Sequence, residues 1–81
     1  MTVTVKLFAT LRQAAGWSER SVELADGATV EALMAYLMQA NPGLDLRGRA
    51  VYAAVNQTYV RADQALADGD TVALFPPVSG G

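Results

Sequence analysis

Apolar and polar residues alternate from the start of the chain. Val3, Val5 and Leu7 fall on one side of an extended segment, and Thr2, Thr4, Lys6 and Phe8 fall on the other. That period of two predicts a half-buried strand over residues 2–9, with Phe8 on the polar face. The stretch Leu11-Arg12-Gln13-Ala14-Ala15 reads as one helical turn closed by Gly16. Residues 18–24 alternate again, which predicts Val22 and Leu24 inward against outward Glu19, Ser21 and Glu23. The two strands are expected to form a first hairpin.

The rhythm then changes. Asp26-Gly27 is a turn signal, Thr29 suits a helix N-cap, and Glu31 sits in the first turn, where the helix dipole favours an anion. Val30, Leu33, Met34, Leu37 and Met38 recur at helical spacing, predicting one helix with a single apolar stripe to lay on the sheet. The two methionines read as core filler. Asn41-Pro42-Gly43 ends the helix. Residues 44–50 are expected to be a connecting loop, with Arg47 and Arg49 in solvent.

Alternation resumes at Val51, Ala53 and Val55, and Asn56-Gln57-Thr58 is predicted to turn tightly into Tyr59-Val60, giving a second hairpin. Residues 66–72 repeat residues 24–30 at six of seven positions. The first copy precedes a helical stripe and the second an alternating strand, so the likeness is reuse of Asp-Gly turn chemistry. Asp63, Asp68 and Asp70 read as turn residues, because they lack the spacing and distal Glu of a calcium loop. Thr71 to Phe75 forms the final strand, Val72 and Leu74 inward, with Phe75 closing it on the other face as Phe8 closes the first. Strand, strand, helix, two shorter strands and a last strand imply an α+β domain: a mixed sheet packed on one main helix.

Composition narrows the chemistry. The 81 residues contain no cysteine and no histidine, so the usual nucleophile, general base and metal ligands are missing together and no metal site is expected. The net charge is −2 and the six basic residues are scattered, which argues against nucleic acid as a partner. No apolar run approaches the length of a bilayer span and no leader precedes the first strand, so a soluble cytoplasmic protein is expected, with no membrane partner. Beyond the domain of residues 1–75, residues 76–81 read Pro76-Pro77-Val78-Ser79-Gly80-Gly81. Two prolines cannot continue a strand ladder, and glycines present no side chain to a narrow channel, so these six residues are expected to project as an extended tail. At roughly 3.3 Å per residue such a tail spans about 20 Å.

The strand and helix order, together with Ala54-Val55-Asn56-Gln57, the Leu66-to-Val72 segment and the run from Phe75 to Gly81, resembles the MoaD family, small subunits of molybdopterin synthase. The Val-Lys-Leu-Phe-Ala opening and the Thr-Val-Glu-Ala-Leu helix start are consistent with it. The resemblance implies the ubiquitin-like β-grasp fold, with first and last strands parallel neighbours, so that Phe8 and Phe75 meet at one end of the sheet near the root of the tail. It also implies a sulfur carrier with no cofactor bound and no active site of its own. The Gly81 carboxylate, preceded by Gly80, would be adenylated with ATP by a MoeB-like activating enzyme and converted to a thiocarboxylate by a sulfur donor. A MoaE-like large subunit would then receive the tail and its sulfur would pass to the pterin precursor. Phe8, Tyr59 and Phe75 are the expected anchors on the partner, with Pro76, Pro77 and Val78 leading into it. Other β-grasp sulfur carriers, for thiamine synthesis or tRNA thiolation, and protein modifiers joined through Gly81 share the Gly-Gly ending. A proline-rich binding module is disfavoured by the lack of a PxxP spacing.

Overall fold

The computed structural model describes residues 1–46 and 51–76; Arg47, Arg49, Pro77, Val78, Gly80 and Gly81, singled out above, lie outside the described residues. The elements run β1 (Thr2–Leu7), α1 (Ala9–Ala15), β2 (Glu19–Glu23), α2 (Val30–Ala40), β3 (Tyr52–Val55), β4 (Thr58–Val60) and β5 (Thr71–Phe75). They build one mixed sheet in the order β2-β1-β5-β3-β4. At its centre β1 and β5 run parallel, with Val5 opposite Val72 and Leu7 opposite Leu74. The other pairs, β1 with β2, β3 with β5 and β3 with β4, are antiparallel. This is the β-grasp arrangement that the resemblance implied.

Alternation accounts for the two faces. Val3, Val5, Leu7, Val22, Ala53, Val72 and Leu74 are buried on the inner face, where they meet Leu11 of α1 and Val30, Leu33 and Leu37 of α2. Met34 and Met38 pack at the edge of that core. Every fully buried side chain among the described residues is apolar, as expected where a polar group would need a partner to offset its lost hydration. Helix α2 starts where predicted: the Thr29 hydroxyl accepts from the Ala32 N–H at 3.2 Å. At its other end the Asn41 side chain donates to the Leu37 carbonyl at 2.9 Å and accepts from Trp17 Nε1 at 3.0 Å, joining the β2 approach to the helix end. Leu33 is fully buried at the centre of the stripe. Leu33→Ala should lower unfolding stability by about 3 kcal/mol in a denaturant titration, and a loss below about 1 kcal/mol would place that stripe outside the core.

Several local expectations change. Strand β1 stops at Leu7 and the short helix begins at Ala9, two residues before Leu11, while β1 and β2 pair antiparallel as expected across it. Gly16 closes that helix at φ 85°, as its position suggested. The segment after α2 is no plain solvated loop, because Leu44 and Leu46 are buried in the core. Leu24 is only partly buried. The Asp-Gly copies do act as turns: the Ala28 N–H donates to the Ala25 carbonyl and the Asp70 N–H to the Ala67 carbonyl, each at 3.1 Å. No helix among the described residues is long and apolar enough to cross a membrane.

Candidate partner-docking site

Where the inner face is a closed core, the outer face carries an exposed aromatic group at one end. Both phenylalanines and two of the three tyrosines meet there. Phe75, half-buried as the last residue of β5, lies at their centre. Its ring centroid is 6.4 Å from Phe8, 6.2 Å from Tyr52 and 5.6 Å from Tyr59, with the Phe8 and Tyr59 rings edge-on to it. Edge-to-face rings at such spacings attract one another, so the group is self-supporting as well as exposed.

Each ring is placed by strand chemistry. Residue parity on β5 sends Val72 and Leu74 inward, which turns Phe75 outward. The parallel register brings the end of β1 alongside, and the Phe8 N–H donates to the Leu74 carbonyl at 3.2 Å. Phe8 is then the N-cap of α1, its carbonyl accepting from the Leu11 N–H at 3.1 Å. Ala9 turns the chain there with φ 53°, a left-handed value that a non-glycine residue adopts at a cost. On the far side Tyr52 stands directly opposite Phe75 in the β3–β5 register, and Tyr59 stands opposite Ala54 on β4.

Phe8 is 45% exposed, Tyr52 49% and Tyr59 72%, values that leave a continuous apolar surface available to another molecule. The three aromatic residues expected from the sequence are thus brought together, and Pro76 follows directly at the end of β5. Pro77, Val78, Gly80 and Gly81 are the expected site residues that fall beyond the description. Tyr52 is a member that sequence reading missed. Its outward parity between Val51 and Ala53 was readable, but its place opposite Phe75 depends on which strand β3 pairs with. No group of three or more Asp, Glu, His or Cys side chains suited to a metal is present among the described residues.

Comparison with known proteins agrees with this geometry. The ThiS family matches over residues 5–81. The chain is 46% identical over 83 residues to the molybdopterin synthase sulfur carrier subunit of Chlamydomonas reinhardtii, covering 100% of both chains. Among solved structures it resembles small archaeal modifier protein 1 of Haloferax volcanii, with a TM-score of 0.85 and 32% identity over 95% of this chain and 98% of that one. It also resembles a chain from the complex of subunits 1 and 2 of molybdopterin-converting factor from Helicobacter pylori, with a TM-score of 0.71 and 27% identity over 100% of each. Fold, full-length likeness and motif agree with the MoaD resemblance read from the residues, and the chain belongs to the ThiS family.

Proposed function

We propose that this chain is the sulfur carrier subunit of molybdopterin synthase, with a β-grasp body (residues 1–75) that docks on the large subunit and a tail (residues 76–81) that carries sulfur. The observation that carries the proposal is the aromatic surface centred on Phe75, immediately before the Pro-Pro-Val-Ser-Gly-Gly run. A partner gripping Phe8, Tyr52, Tyr59 and Phe75 holds the root of the tail and thereby aims its far end. Full-length likeness to the Chlamydomonas reinhardtii sulfur carrier supports the pathway, and the Helicobacter pylori complex supports a large-subunit partner.

The chemistry follows from what the chain lacks. An α-carboxylate is an anion at neutral pH and a poor acylating agent. ATP consumed by an adenylating enzyme converts the Gly81 carboxylate to an acyl adenylate with release of pyrophosphate. A sulfur donor then displaces AMP, leaving the thiocarboxylate. With neither cysteine nor histidine the chain cannot run these steps alone, so Gly81 is a co-substrate and catalysis belongs to the partners. Gly80 and Gly81 keep the approach narrow, while Pro76, Pro77 and Val78 stiffen and seat it.

Intact-mass measurement on protein isolated from its host tests this: a fraction heavier by one oxygen-to-sulfur exchange, mapped to the last peptide, is the expected result. Only the free acid, even after incubation with an adenylating enzyme, ATP and a sulfur donor, would overturn it. The likeness to the Haloferax volcanii modifier favours a second reading, conjugation through Gly81 to protein amines. That reading predicts host proteins bearing a Gly-Gly remnant on lysine in place of the thiocarboxylate.

A further inference from the structure

Gln57 occupies a backbone position that does not suit its side chain. Asn56 and Gln57 form the two-residue loop between β3 and β4, with φ of 50° and 72°. Hairpin loops with both central residues at positive φ strongly favour glycine at the second position. The loop is clamped from the first: the Asn56 N–H donates to the Thr71 carbonyl at 2.9 Å, Asn56 Nδ2 donates to Asp70 Oδ1 at 2.9 Å, and Asn56 Oδ1 accepts from the Thr71 N–H at 3.0 Å. Gln57 itself is exposed, and its side-chain amide makes no hydrogen bond among the described residues. An unfavourable conformation retained at an exposed position with an unused polar head points to a role outside the monomer.

Gln57 also lines an open trough of about 480 Å³ on the outer sheet face. Ala54 and Ala73, paired across β3 and β5, give it a shallow floor, and Phe8 makes it continuous with the aromatic surface. Lys6, the chain's sole lysine, lies beside Ala73 and lines the same trough. Among the described residues its ammonium has one long ion contact, 4.0 Å to Glu19 on the β2 side. The carboxylate nearest the loop, Asp70, is already engaged through both oxygens. A partner closing over Phe8 also strips water from Lys6, and an ammonium covered without a compensating anion is costly.

We propose that the trough receives a carboxylate side chain of the same large-subunit partner that covers the aromatic surface, paired with the Lys6 ammonium and hydrogen-bonded by the Gln57 amide N–H. Gln57 is then a specificity-determining residue whose backbone cost is maintained for recognition. This rests on the docking proposed above.

Calorimetric titration of the full chain with the large subunit of molybdopterin synthase, alongside thermal unfolding of the free chain, tests it. Gln57→Gly should unfold at the same or a higher temperature yet bind about tenfold more weakly. Lys6→Gln should weaken binding by a similar factor, about tenfold, and flatten its dependence on salt. A lower unfolding temperature for Gln57→Gly overturns the conformational basis. If both variants bind like the parent while Phe75→Ala does not, the trough proposal falls and aromatic docking stands. Absence of binding by the parent chain overturns both.

Discussion

Deleting Gly81 is expected to abolish sulfur transfer while leaving the circular dichroism spectrum of the chain unchanged. Strand β5 ends at Phe75 and the core beneath it is closed by Val72 and Leu74, so the ladder and core of the body are complete before residue 76. Loss of one residue withdraws the carboxyl by roughly 3.3 Å. Misplacement by about 1 Å is enough to cost on the order of 100-fold in a reaction that depends on positioning, so the shortened tail should fall below that level. The check is a single-turnover assay of pterin product, using shortened and parent chains treated alike with the adenylating enzyme and sulfur donor. Product formed at the parent rate by the shortened chain would remove Gly81 from the mechanism.

Phe75→Ala is expected to weaken binding to the large subunit by about 100-fold, as aromatic residues central to an interface do. All three ring contacts of the outer surface run through Phe75, so its removal strips the anchor and unseats Phe8, Tyr52 and Tyr59 together. The fold should survive, since the buried neighbour on β5 is Leu74. Calorimetry on the variant, with its cooperative unfolding verified, decides the matter. Affinity within twofold of the parent would make the aromatic group an ordinary exposed surface.

The elements were largely legible because local patterns and tertiary demands agree. A period of two marked each long strand, a 3.6-residue stripe marked α2, and Thr29 and Gly16 marked helix ends by their own hydrogen bonding and handedness. Local pattern failed where distant packing decides. Leu44 and Leu46 sit in a stretch with turn residues and charges, and only the space left beneath the sheet makes them core. Alanine is a strong helix former, yet Ala9 opens α1 in a left-handed conformation that no propensity predicts. The same division holds at the candidate site. Outward parity identified Phe8 and Phe75, and the resemblance supplied their neighbourhood. Tyr52 joined them only once β3 was known to pair with β5, a long-range choice that leaves no mark on the residues around it. The Asn56-Gln57 turn was readable as a turn, but its positive φ values and its clamp to Thr71 were not.

The central ladder joins the two ends of the chain, Thr4 facing Thr71 and Leu7 facing Leu74. Such distant pairing must overcome a large loop-closure entropy before any contact rewards it. During synthesis the sheet therefore cannot close until β5 has emerged from the ribosome. The aromatic surface shares that dependence, because Phe75, at its centre, is the last residue of β5.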